Sequence, residues 1–120
     1  MIYSDNIMKL DPKWQSTVNE ICTQIAESND PFLRSITVFG SVARREASDG
    51  SDLDVYLEYD CDIMDDDFII DMDITKATDI ISRQTNGNND IIFDALADDY
   101  IMKRIKKDGI KVYEQKKKSI

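Results

Sequence analysis

The residues best suited to chemistry lie in one run, Phe39-Gly40-Ser41-Val42-Ala43-Arg44-Arg45-Glu46-Ala47-Ser48-Asp49-Gly50-Ser51-Asp52-Leu53-Asp54. A β-branched, apolar stretch ends at Gly40, whose missing side chain lets a ligand approach the backbone. Ser41 follows at the start of a short helical stretch, where unpaired N–H groups favour phosphate. After ten intervening residues, Asp52 and Asp54 flank Leu53 and so project from one face of a strand. Two carboxylates on one face form a hard-oxygen mount for Mg²⁺, which prefers one or two carboxylates completed by substrate phosphate oxygens. A phosphate cradle beside such a mount is what displacement at a nucleotide α-phosphate requires. Neither half is distinctive alone. Gly-Ser reads equally as an ordinary strand-to-helix turn, and the aspartates as a solvated face in a chain that places Asp at five of the eight positions from Asp60 to Asp67. Their mutual spacing favours the chemical reading.

Composition narrows the alternatives. The chain has 120 residues, 42% of them hydrophobic, with 4 Gly and 2 Pro, which predicts one folded domain over 1–115 followed by a basic tail at 116–120. It contains no histidine, which removes Ser-His-Asp and Cys-His catalysis and leaves carboxylates, lysines, hydroxyls and metal as working groups. Its 24 acidic and 15 basic residues give a net charge of −9, which disfavours extended nucleic-acid binding. Cys22 and Cys61 show no CxxC spacing and are expected to be free thiols. With no signal-like N-terminal stretch and no apolar run of membrane-spanning length, a cytoplasmic protein without membrane partners is expected.

The elements that must position these residues follow from periodicity. Trp14, Val18, Ile21, Cys22 and Ile25 predict an amphipathic helix over Asp11–Glu27, with Asp11 as N-cap and Pro12 in its first turn. Ser35–Phe39 predicts a strand, Val42–Ala47 a short helix, and the alternation from Leu53 to Tyr59 a second strand. A long helix over Asp65–Arg83, a strand beginning at Asp90, a helix over Asp98–Lys107 and a last strand over Ile110–Tyr113 complete the pattern. This order implies an α/β or α+β domain, a small sheet of about four strands with helices packed on it. Trp14, Met72 and Met102 sit on apolar stripes and read as core. Tyr56 shares a strand face with Asp54 and Glu58, suiting a base contact or a partly buried rim. The cluster from Asp60 to Asp73 reads as a solvated loop and helix start.

The Gly-Ser, ten-residue, Asp-x-Asp pattern resembles the minimal nucleotidyltransferases of the DNA polymerase β superfamily. Gly40, Ser41, Asp52 and Asp54 match in identity and spacing, and Ala43, Arg44, Ala47 and Ser51 match habitual positions. The family usually carries glycine where this chain has Arg45. The resemblance implies a third catalytic carboxylate at the start of a later strand, some twenty residues before a glycine that precedes the final strand. Asp90, 19 residues before Gly109, fits that place, and Asp94 is the alternative. Asp90 after Asn-Gly-Asn-Asn also reads as turn chemistry. By resemblance, Gly40 and Ser41 hold the β- and γ-phosphates, with Arg44 and Ser51 in the same nucleotide-binding stretch. Arg44 is expected to pair with a neighbouring carboxylate or to orient the loop. Asp52 and Asp54 would bind the metals, with two Mg²⁺ ions expected, and Asp90 would complete the second site or act as base.

The resemblance further implies transfer of a nucleoside monophosphate, AMP from ATP, to an acceptor hydroxyl. Single-domain members resemble the antitoxin half of a toxin–antitoxin pair that adds AMP to a tyrosine of a HEPN-type ribonuclease, and the charge of −9 suits a basic partner. Two rivals remain at this stage: transfer to a small molecule such as an antibiotic with a partner chain's help, and a non-catalytic module that neutralises a partner by contact.

Overall fold

The computed structural model describes residues 1–59 and 67–115, the side chains of 67–75 excepted. Cys61, the onset of the expected helix at Asp65, the side chain of Met72, most of the acidic cluster and the basic tail lie outside the described residues.

Four residues, Ser4–Ile7, form a first helix, α1, too short to announce itself by periodicity. The second helix, α2, spans Pro12–Ser28; Asp11 caps it by accepting from Lys13 N at 3.1 Å, and Asn29 ends it in the left-handed region at φ 56°. Its buried face is Val18, Ile21, Cys22 and Ile25, as the periodicity predicts, with Trp14 half-buried beside them. Strand β1 (Leu33–Phe39) runs into the single-turn helix α3 (Gly40–Ala43), and β2 spans Leu53–Tyr59. Helix α4 (Asp67–Thr85) stops where Asn86 and Gly87 take φ of 53° and 81°. Strand β3 (Asn89–Phe93) leads through a 3₁₀ turn (Asp94–Leu96) into α5 (Asp99–Asp108), capped by Asp98, and β4 (Ile110–Glu114) follows.

The sheet is mixed, in the order β3-β2-β1-β4. The pairs β1–β2 and β1–β4 are antiparallel, whereas β2–β3 is parallel, so the chain crosses over through α4 between them. Ile36, Val38, Val55 and Leu57 point to one face, where the α2 residues and Ala77, Ile80 and Ile81 of α4 close a single core. Each fully buried Ile or Leu there contributes about 1.5–3 kcal/mol. Thr37, Phe39, Asp54 and Tyr56 point to the opposite face, and α5 lies over its Phe39 end. Gly109 joins α5 to β4 so tightly that a Cβ there would overlap Ile105 O and stand 3.0 Å from Thr37 Cγ2. Cys22 is a buried free thiol, its pKa pushed up to about 12 by burial. Among the described residues no helix is long and apolar enough to cross a membrane.

The short helix departs from expectation. It covers Gly40–Ala43 instead of Val42–Ala47, because Arg44 is its C-cap and Arg45 turns left-handed at φ 60°. That conformation suits glycine and costs other residues about 1–2 kcal/mol. It explains why a glycine is habitual at this position in proteins the motif resembles. Arg45→Gly should therefore stabilise the fold by about 0.5–1 kcal/mol, the relief of strain being partly offset by the unfolded chain's added freedom. Urea denaturation checks this, and an unchanged or lower midpoint would show that Arg45 is not strained.

Candidate active site

One end of the sheet gathers the residues singled out by the motif. The C-terminal end of β1 meets the N-terminal ends of β2 and β4, and β3 begins alongside β2. Phe39 pairs with Asp54, so Gly40, the next residue, passes directly beside the Asp54 side chain. Gly40 is buried and has φ 75°; a Cβ built on it would overlap Asp54 Oδ2 and lie 3.1 Å from Cγ. Only glycine permits this approach, for both conformational and steric reasons. The carboxylate of Asp54 thus faces the backbone that opens α3.

Asp90 is the register partner of Asp54 across the parallel β2–β3 pair, so both side chains leave the same face. Asp52 precedes β2 by one residue and lies two residues before Asp54. Burial raises the Asp54 pKa, the Asp90 charge raises it further, Arg104 opposes the rise, and Asp52 and Arg44 add smaller effects of opposite sign. Asp52 and Asp90 are exposed and Asp54 is half-buried. Asp94 lies at the far end of β3, where its Oδ1 accepts from Tyr59 N at 3.4 Å, so the register brings Asp90 to Asp54 and leaves Asp94 apart.

The remaining motif residues divide. Ser41 is half-buried, and its hydroxyl makes no hydrogen bond to the protein among the described residues. Ser51 Oγ instead closes the turn before β2, accepting from Ser48 N at 2.8 Å. Arg44 is engaged as expected: it donates to Asp108 at 2.9 Å and to Glu46 at 3.1 Å. The first of these ties α3 to the end of α5. Tyr56 is buried between Thr37 and Ile92 in the sheet, which favours the rim alternative over an open base contact.

The donor set fits Mg²⁺: carboxylate oxygens, among them a half-buried Asp54 whose neighbour Asp90 repels it, held against the Gly40 backbone. Among the described residues no group of three or more ligand side chains closes on one point by itself. Mg²⁺ is usually held by one or two carboxylates with phosphate and water completing the shell.

Two supporting residues escaped the sequence reading. Asp11 was foreseen only as a helix cap, yet its second oxygen accepts from Ala47 N at 3.1 Å and its own N–H donates to Val42 O at 2.9 Å. This carboxylate, 6% exposed, clamps α2 to the loop that follows α3. Arg104 lies over the Phe39 ring, 5.4 Å from its centroid. Its place beside Ile101 and Ile105 on the half-buried side of α5 was a signal available in the sequence; the second contact of Asp11, spanning 36 residues, left none.

Asp11→Ala should cost about 2 kcal/mol, from a lost helix cap and an orphaned Ala47 N–H, while Asp11→Asn, which keeps one acceptor oxygen, should cost about half as much. Denaturant unfolding of both variants measures this, and a cost confined to that of one cap would remove the Ala47 link. A raised carboxyl pKa means that the folded state binds its proton more tightly, so Asp54 favours folding at low pH and opposes it as pH rises through its folded pKa. Metal-free Asp54→Asn should therefore melt higher than wild type at neutral pH, with the gap closing below the ordinary aspartate range near pH 4. A variant that melts lower at neutral pH would mark Asp54 as a structural residue.

The polymerase beta nucleotidyltransferase family model matches residues 20–118. No curated protein matches the chain. One chain of a crystal structure of a toxin–antitoxin with AMP-PNP superposes with a TM-score of 0.57 at 15% identity, covering 83% of this chain and 73% of that one, a likeness of fold. A Sulfolobus solfataricus protein assigned as a nucleotidyltransferase aligns at 26% identity with a TM-score of 0.49, covering 88% and 84%. With a four-stranded mixed sheet of the expected kind and a family match over most of its length, this chain belongs to the polymerase beta nucleotidyltransferase family.

Proposed function

We propose that the chain is a Mg²⁺-dependent nucleotidyltransferase that transfers AMP from ATP to a hydroxyl on a partner protein. The observation that carries this reading is the contact between the Gly40 backbone and the Asp54 carboxylate, with Asp90 in register beside it. Asp52 and Asp54 would hold the metal, and Asp90 would complete a second site or accept the acceptor's proton. Bound there, Mg²⁺ would neutralise phosphate charge and activate the attacking oxygen. Gly40 and Ser41 would hold the phosphate chain through backbone N–H groups and a hydroxyl that no protein group engages among the described residues. In the transfer, the acceptor oxygen forms a bond to the α-phosphorus, the bond from that phosphorus to the bridging oxygen breaks, and pyrophosphate leaves. The hydroxyl proton passes to a carboxylate or to water.

ATP as donor and a protein as acceptor are the finer part of this reading. Support for it comes from the fold shared with a chain of a toxin–antitoxin crystallised with AMP-PNP and from the net charge of −9, which favours a basic partner. The partner that fits is a HEPN-type ribonuclease toxin modified on tyrosine, with this chain as the antitoxin.

Incubation with Mg²⁺, α-labelled ATP and a candidate ribonuclease should place label on the ribonuclease and silence it. Asp54→Asn should reduce transfer by at least about a hundredfold and remain folded. Neutralisation of the ribonuclease by Asp54→Asn as efficient as that by wild type, without label, would favour a binding module over an enzyme. Label arriving on an aminoglycoside and not on protein would redirect the acceptor to small molecules.

A further inference from the structure

We propose that Arg104 is a phosphate-binding residue of this site, its guanidinium receiving the phosphate chain of the nucleotide beside Asp54. The inference rests on the nucleotidyl-transfer reading above and assigns a role to a residue outside the motif. Phe39 and Asp54 are cross-strand partners and share a face, so a guanidinium 5.4 Å from the Phe39 centroid lies on the side of the sheet that carries the Asp54 carboxylate, whose charge it feels. Among the described residues, Arg104 and Arg44 both act on the Asp54 carboxylate, and their situations differ. Arg44 is engaged by Glu46 and Asp108 at 3.1 and 2.9 Å. The side chain of Arg104 has no hydrogen-bond acceptor and no carboxylate within ion-pair distance among the described residues.

A cation–π contact with a ring uses the charge of the guanidinium and none of its N–H donors, so Phe39 holds Arg104 in place while leaving those donors for an anion. Phosphate oxygens match that fork, and charge-assisted pairs of this kind are among the stronger hydrogen bonds. The ring beneath is itself rigid: Phe39 is 1% exposed and closes β1 directly before Gly40. The Arg44–Asp108 pair fastens the last residue of α5 to α3, so the motif arginine holds the helix that presents Arg104. A purely structural Arg104, covering Phe39 and offsetting Asp54, would influence stability without influencing nucleotide affinity.

Titration calorimetry with Mg²⁺-ATP on folded protein separates these roles. Arg104→Met, which keeps the aliphatic stem, and Arg104→Gln, which keeps a flat polar head, should each weaken binding about tenfold or more, and Arg104→Lys should recover part of the loss. Lys103→Met, an equal charge change at an exposed position of the same helix, should stay within about twofold of wild type. Binding by Arg104→Met and Arg104→Gln within about twofold of wild type overturns the assignment and leaves the nucleotidyl-transfer reading standing. Equal weakening by Lys103→Met also overturns it, because the effect would then belong to the general field of α5. A wild type that binds no Mg²⁺-ATP overturns the underlying reading itself.

Discussion

The geometry of the site hangs on one close approach, that of the Gly40 backbone to the Asp54 carboxylate. It requires a left-handed residue with no side chain at the end of β1, and antiparallel pairing that sets Phe39 opposite Asp54. Shifting that pairing by one residue would send Asp54 into the core and Val55 to the surface, so the hydrophobic effect that buries Val38, Val55 and Leu57 also fixes where the carboxylate points. The face that carries Asp54 is thereby held in register by the packing of the opposite one.

The two faces of the sheet do different work. One is sealed by α2 and α4 over a continuous apolar core; the other carries, over its Phe39 end, a helix whose residues are all at least partly exposed. Around this end the loops are fastened by polar contacts: Asp11 ties α2 to the segment after α3, and Arg44 ties α3 to α5. These links cross the chain at separations of 36 and 64 residues. Removing either of them would loosen the segments around Gly40 without touching Asp52, Asp54 or Asp90.

Much of this arrangement could be read from residue patterns, and the exceptions share a cause. Helix α2 and strand β2 announced themselves because burial repeats along them with the periods of 3.6 and 2. The clustering of Asp54 with Gly40 was readable because a motif spacing stands in for a tertiary contact. Helix α1 has too few residues for any period, and α3 was displaced because its end is set by left-handed backbone at Arg45, a residue whose type gives no hint of it. Which of Asp90 and Asp94 lies beside Asp54 depends on the β2–β3 register, which no local pattern dictates. The second contact of Asp11 is likewise long-range and only the fold reveals it, as only the fold shows that Arg104 lies over Phe39.

The parallel pairing of β2 with β3 has a bearing on how the molecule comes into being. Asp54 and Asp90 are 36 residues apart and become neighbours only once the intervening crossover has docked, whereas Gly40 and Asp54 are joined by a much shorter excursion between adjacent antiparallel strands. Closing the longer excursion carries the greater entropic cost, and non-local contacts of that kind set the pace of folding. During synthesis the strand bearing Asp90 also leaves the ribosome last of the three segments. The Asp54–Asp90 pair is thus the later of the two to assemble, and a nascent chain can bring Gly40 against Asp54 before its edge strand arrives.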